Sequence, residues 1–315
     1  MMRAWMVALA LLASPAWAQD GADSGPAVPE ALVIGVYTPR VLYSGALGRG
    51  AFANQLAQQI ASATGVAFKG RGFTSRGALT AQIKAGKVAF ALVAAQHQAG
   101  RSYPGIAHGA KGGKTRLPMA LVVGPGSKAR DLAGLEGAKL ANVPVGGGDA
   151  GFVANLLLQG EVGGDFFTTG REARDVSGAL SLVKLGKADA AFTYAAATGG
   201  LRVVFRSRPV ALPAFVQTDA ALPAAVVAKV RAAVGQVRIP GAVIDGLAPY
   251  DAAAVKAVAG QLGAPKRRRA QPVLAPVATD APPVSAFLAP LAPAPVQFVP
   301  AAASLGVPPP PADAF

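Results

Sequence analysis

The chain has 315 residues, a formal net charge of +14, two histidines and no cysteine. Without cysteine there is no disulfide, no acylated anchor and no thiolate zinc site, and two histidines cannot build a multi-histidine metal cluster. The basic balance points to anionic partners in general, whereas a chain with 6% aromatic residues is poorly equipped to stack on nucleic acid.

Arg3 is the only charge before Asp20, and the apolar run Trp5 to Leu12 follows it. Ser14-Pro15 breaks that run, and Ala16-Trp17-Ala18 places small residues at the two positions a signal peptidase reads. This is the pattern of a cleavable secretory signal over residues 1–18, too short in its apolar core to span a bilayer. The expected location is the periplasm, with no membrane span in the mature protein. Residues 19–30, QDGADSGPAVPE, read as a flexible linker.

Ala31 to Tyr37 is a short β-rich apolar run ended by Thr38-Pro39 and predicts a buried strand. Leu47, Phe52, Leu56, Ile60 and Ala63 recur at helical spacing over 46–63. Val66 to Phe68 reads as a strand, Ser75 as the cap of a helix through Ala85, and Val88 to Val93 as a third strand. After the strand Leu117 to Val123 the alternation restarts. Strands are expected at 139–143, 165–168 and 188–194, with helices at 149–158 and 176–185. Residues 203–205 and 210–216 read as extended, and 222–234 and 252–262 as closing helices. Strands alternating with helices imply βαβ units.

The halves share an echo. Gly77-Ala78-Leu79 opens a helix that ends at Gly86-Lys87 before a strand, and Gly178-Ala179-Leu180 opens one that ends at Gly186-Lys187 before another. In this reading the two helices differ by one residue in length. The restart and the echo predict two lobes, 31–118 with 214–263 and 119–213, crossed near 117–124 and 209–217. Charge divides along the same line. Residues 31–118 hold eleven Lys or Arg and no acid, whereas 119–213 hold ten basic and eight acidic residues. Two explanations stay open for the basic lobe, a solvated face and the attraction of an anionic ligand. From 264 to 315 the composition turns to Ala and Pro behind Lys266-Arg267-Arg268-Arg269. Thirteen of the 26 prolines fall in the last 51 residues, so a disordered, dispensable tail is expected.

No G-x-S-x-G elbow, H-E-x-x-H helix or Walker loop occurs, so no enzyme, metal or cofactor is expected. Ligands of open α/β sheets sit beyond the carboxyl ends of strands. In lobe one that places Tyr37, Thr38, Arg40, Tyr43, Ser44, Ser75, Gln96 and His97 around a cleft. In lobe two it places Gly147, Gly148, Asp149 and Tyr194 there. Arg40 could pair with an anion bidentately or serve as surface charge. The tyrosines could donate to a ligand or end their strands in the core. His97 could touch ligand or be structural. Gly146 to Gly148 could bring backbone close to a ligand or form a turn into a helix capped by Asp149. Helix N-termini at these loops would favour an anion.

Several segments in order resemble a known family. They are the opening strand Val33-Ile34-Gly35-Val36-Tyr37, the helix-turn-strand from Ala78-Leu79 to Leu92, and the crossing segment Pro118 to Ser127. Asp131-Leu132-Ala133-Gly134-Leu135-Glu136-Gly137 follows, then Gly178 to Tyr194 and Ile244-Asp245-Gly246-Leu247. Residues 31–263 resemble the phosphate/phosphite/phosphonate-type substrate-binding proteins of ABC importers. The resemblance implies the type-2 periplasmic binding fold: two α/β lobes, each with a central mixed, mainly parallel sheet, joined by two crossing segments. It also implies a monomer that holds a small anionic ligand in the interlobe cleft and meets an importer permease. The chain departs from the family pattern at Ala89, where Asp is usual, and at Gly146-Gly147-Gly148-Asp149, where a Ser/Thr-rich loop is usual. Those departures and the tail keep a second expectation alive, a solitary or degenerate member acting as an envelope interaction or sensory protein.

Overall fold

The computed structural model describes residues 31–43 and 48–264. The expected signal and linker, Ser44, and the tail from 265 onward lie outside the described residues. The chain builds one sheet, leaves for a second, and returns. The first lobe opens with β1 (Leu32–Tyr37), α1 (Gly48–Thr64), β2 (Phe68–Gly72) and α2 (Arg76–Lys84). It continues through β3 (Phe90–Val93), α3 (Ala95–Ala99) and β4 (Gly105–Ala110). The second lobe holds β5 (Arg116–Val123), β6 (Lys139–Asn142), α4 (Asp149–Gly151), β7 (Thr168–Glu172), α5 (Val176–Lys184), β8 (Ala190–Tyr194) and β9 (Arg202–Ala211). The return adds β10 (Ala214–Gln217), α6 (Ala224–Ala233), β11 (Gly246–Pro249) and α7 (Ala252–Ala259) to the first lobe.

The strand orders are β11-β4-β10-β3-β1-β2 and β7-β6-β8-β5-β9. Both sheets are mixed. In the first, β1, β2, β3 and β4 run one way and β10 and β11 the other. In the second only β5 opposes the rest. The central strands read as unbroken apolar runs because helices or loops cover both of their faces. All of β3 is buried, as are Met119 to Val123 of β5. Helix α1 lays Phe52, Leu56 and Ile60 on the first sheet, the stripe that its 3.6-residue period requires.

The echo extends beyond the helix and turn. The unit β2-α2-β3 over 68–93 recurs as β7-α5-β8 over 168–194, with helices of equal length (nine residues each) rather than one apart. Ser75 caps α2 through the Ala78 amide, and Asp175 caps α5 through the Gly178 amide. Each cap is worth about 1 kcal/mol. Both helices end in the same C-terminal motif. The Lys87 amide donates to the Gln82 carbonyl and the Lys187 amide to the Leu182 carbonyl, over Gly86 and Gly186 at φ 66° and 65°.

The structure corrects several local expectations. The first crossing is not at 117–124. Arg116 to Val123 already pair within the second sheet, and the connection is Lys111 to Thr115, turning at Gly112 and Gly113. The apolar run needs burial in a sheet, whereas Lys-Gly-Gly-Lys-Thr can cross in solvent. The two connections run side by side. The Gly109 amide donates to the Pro213 carbonyl (2.7 Å), and the Leu212 amide to the Thr115 carbonyl (2.8 Å). Strands β2 and β7 begin later than expected, because weakly β-forming residues such as Gly70 and Gly170 lie in them. A Cβ at either glycine would overlap the backbone of Ala53 or Leu140. Strand β4 escaped notice for the same reason: Gly105 makes room for the Tyr250 ring and Gly109 for Ile244. The helix expected at 149–158 is a short α turn followed by π-helical Phe152–Leu157.

Candidate functional site

The site grows from three loops. The strand β1 ends at Tyr37, and the turn Thr38 to Val41 (Val41 amide to Thr38 carbonyl, 3.0 Å) swings Arg40 toward the second lobe. Strand β3 ends at Val93, and α3 presents Gln96 beside it. In the second lobe β6 runs into Val145 and the glycines 146–148, all three at positive φ, which glycine alone adopts readily.

These loops meet at one carboxylate. Arg40 Nη2 donates to Asp149 Oδ1 at 3.0 Å, and Arg40 Nη1 donates to Gln96 Oε1 at 2.7 Å. Gln96 Nε2 donates to Asp149 Oδ1 and to the Gly147 carbonyl, both at 3.0 Å. The Val145 amide reaches Asp149 Oδ1 (3.1 Å), and the Gly146 amide reaches Oδ2 (2.9 Å). The Phe152 ring covers the guanidinium at 4.2 Å. Arg40 is 8% exposed, so it is not a surface charge. Burial pushes its pKa down, and the neighbouring Asp149 carboxylate opposes that shift.

Around this centre the other expected residues take different places. Tyr37 Oη donates to the Val145 carbonyl across the lobes (3.4 Å). Thr38 and Tyr43 share a hydrogen bond of 2.5 Å, and burial pushes the Tyr43 phenol up to about 12. Tyr194 donates to the Ala211 carbonyl at 3.3 Å, and burial raises its pKa as well. Tyr43 and Tyr194 are therefore neutral at working pH. Thr38, Arg40, Gln96, Phe152 and Tyr194 line one small cavity of about 20 Å³, room for a single water. Larger hollows lie elsewhere on the first lobe, such as one of about 200 Å³ beside Tyr43, Phe52 and Pro240.

Three expectations need correction. Ser75 is exposed and spent on capping α2, so it does not join this network. His97 packs edge-on against Tyr37 (ring centroids 5.9 Å apart) and makes no contact with Arg40 or Asp149; its buried Nε2 has no protein partner. Asp149 is not a helix cap. Gly148 holds that position at φ 74°, and the Asp149 side chain points back to the loop and across to the first lobe. The anion-favouring N-terminus is also used internally at α5, where the Val176 amide donates to the Pro39 carbonyl (2.8 Å).

The structure adds Arg49, which the sequence reading missed, and gives Arg76, in a loop already expected at the cleft, a definite place. Arg49 Nη2 pairs with Asp175 Oδ2 at 3.1 Å, a second bridge from the basic lobe to the mixed one. Arg76 lies against Gly146, where its guanidinium would overlap any Cβ. The signal for them was the charge partition itself. The stretch 31–118 holds no acid, and its Arg40 and Arg49 meet carboxylates of the other lobe. Among the described residues no cluster of His, Asp and Glu could hold a metal, and no helix is long and apolar enough to cross a membrane.

Two mixed α/β sheets joined by paired crossings, with a polar seam between the lobes, define a protein of the type-2 periplasmic binding fold. The family model for the ABC transporter phosphonate periplasmic substrate-binding protein matches residues 51–238, and the chain belongs to that family. Similar solved structures include PhnD1 from Prochlorococcus marinus in complex with methylphosphonate. It is 10% identical with a TM-score of 0.61, covering 75% of this chain and 97% of that one. A binding protein component of an ABC phosphonate transporter from Pseudomonas aeruginosa, PA3383, is 12% identical with a TM-score of 0.57, covering 72% and 84%. XAC2383 from Xanthomonas citri, bound to ATP, is 13% identical with a TM-score of 0.52, covering 74% and 96%. At such identities the likeness speaks for the fold. No curated protein matches the sequence.

Proposed function

We propose that this protein captures a small anionic solute between its lobes, with Arg40 as the charged contact, and hands it to an ABC importer permease. The observation that supports this most is the position of the Arg40 guanidinium. It is buried at the seam of the lobes, and the carboxylate it meets, Asp149, comes from the other lobe. Gln96 accepts a hydrogen bond from it, and Thr38 and Tyr194 line the same small cavity as neutral polar groups suited to an oxyanion. Family membership and the methylphosphonate in PhnD1 point the same way. The reading includes export by the signal at 1–18, a linker at 19–30, a body of two lobes over 31–263, and no catalysis.

Calorimetric titration of wild type and Arg40→Ala with phosphate, methylphosphonate and small carboxylates, at low and moderate salt, tests it. A buried charge-assisted contact contributes about 1.5–3 kcal/mol, so the variant should bind about ten- to a hundredfold more weakly. Attraction to the basic lobe as a whole would fade with salt and ignore the loss of one arginine. Affinity unchanged by Arg40→Ala rejects the proposal. The small space at the seam favours a second reading, a family member that acts as a sensory or envelope interaction protein without free solute. An absence of saturable binding by wild type and by seam variants alike selects it.

A further inference from the structure

We infer that Asp149 is a tethered anion that occupies the oxyanion seat between the lobes, so that a free solute binds only by displacing it. The inference rests on the proposed solute role of Arg40 and names what controls access to that site.

Four donors from both lobes converge on this one side chain. Two are consecutive backbone amides, Val145 and Gly146, and two are side chains of the other lobe, Gln96 and Arg40. Such a set, with neutral amides on one side and a guanidinium on the other, is what a small oxyanion needs when lobes close over it. Here the oxyanion is part of the chain. The remaining space of about 20 Å³ holds one water and no second anion. Arg40 is committed as well: Nη2 goes to Asp149, Nη1 to Gln96, and Phe152 lies over its face. The triple-glycine loop makes the arrangement possible. Positive φ at residues 146 to 148 folds the backbone so that the amides preceding Asp149 point at its own carboxylate.

A tethered group competes at an effective concentration in the millimolar range or above. It therefore weakens every free anion that needs the same donors, and preferentially excludes the weak ones. In binding terms Asp149 sets a threshold that only a solute making more contacts than a lone carboxylate can cross.

Titrations of the full chain with formate and with inorganic phosphate, read by calorimetry and by the shift of the unfolding midpoint, test this. Asp149→Ala vacates the seat, and Asp149→Asn keeps the shape without the charge should the alanine variant fold poorly. Both should bind these anions about tenfold or more tightly than wild type, and formate should restore part of the midpoint lost in Asp149→Ala. The double variant Asp149→Ala/Arg40→Ala should lose that gain. Equal or weaker binding by both Asp149 variants, with Arg40→Ala still weakened, overturns the inference and leaves the solute site standing. A gain that survives in the double variant also overturns it, since the anions then bind elsewhere. Wild-type binding indifferent to Arg40→Ala removes the proposed function itself.

Discussion

Arg40 and Asp149 stand 109 positions apart in sequence, yet Nη2 of one lies 3.0 Å from Oδ1 of the other across the two lobes. The pair is one of three salt bridges between the lobes among the described residues. Arg49 and Asp175 form the second, again with the cation from the stretch 31–118 that has no acid, and Arg116 of β5 with Asp251 before α7 forms the third in the opposite sense. The charge partition of the sequence is thus an electrostatic complementarity between lobes, not only a solvated face.

The second bridge separates two roles of one aspartate. Asp175 pairs with Arg49 and also caps α5 through the Gly178 amide. Its partial exposure weakens the ion pair, so the cap should carry most of its stabilisation. Urea denaturation should place Asp175→Ala about 1–2 kcal/mol below wild type and Arg49→Ala less than about 1 kcal/mol below. Asp175→Ser, which copies Ser75 in the matching helix, should recover most of the loss. An Asp175→Ser variant as unstable as Asp175→Ala would show that the ion pair dominates.

Acid should destabilise the protein through its two histidines. Burial pushes His97 down to about 4, helped by Arg101 and Arg76, and burial pushes His108 down to about 4 against the pull of Asp251. In the unfolded chain both titrate near 6.5. Between about pH 6.5 and 4 the unfolded state takes up protons that the folded state refuses, so stability falls as pH falls through that window. The slope is about 1.4 kcal/mol per pH unit for each histidine fully titrating in the unfolded state only. His108→Gln should flatten the stability profile over this range. A wild-type profile already flat there contradicts the assignment.

Two glycines of α2 and its C-terminal turn should respond in opposite directions. Gly77 has ordinary helical backbone, and a methyl group added there would meet open space, so Gly77→Ala should raise stability by about 0.5–1 kcal/mol. Gly86 sits at φ 66° in the C-terminal turn, and Gly86→Ala should cost about 1 kcal/mol. Thermal unfolding of the two single variants checks the signs.

Gly151 lets the end of the described chain pass over the second lobe. A Cβ there would overlap the Gly263 carbonyl, and Asn155 donates to the Gln261 carbonyl at 3.0 Å beside it. Gly151→Ala should therefore cost about 1–3 kcal/mol and speed amide hydrogen exchange at 261–264. Unchanged exchange in that segment would mean the contact is easily rearranged.

Much of the fold was legible because it rests on local chemistry. The buried strands are unbroken apolar runs, Ser75 is a recognisable cap, and Gly86 and Gly186 are recognisable helix ends. The illegible parts are glycine-rich strands such as β4, whose small residues answer to neighbours far along the chain. Tyr250 over Gly105 and Ile244 over Gly109 leave no periodic trace. In the site, Arg40, Gln96 and Asp149 were all visible as loop residues beyond strand ends, and Ser75 and His97 were equally plausible on that criterion.

By itself the sequence determined the two-lobed α/β plan, the repeated strand-helix-strand unit and the uneven charge, since period, capping and composition act over a few residues. Only the tertiary structure decided which charges meet. Asp149 looked like a cap for its own helix, and the fold instead turned its carboxylate onto the buried guanidinium of the opposite lobe. An arginine withdrawn from water needs an anion within a few ångströms, and which one it finds depends on how two distant loops are brought face to face.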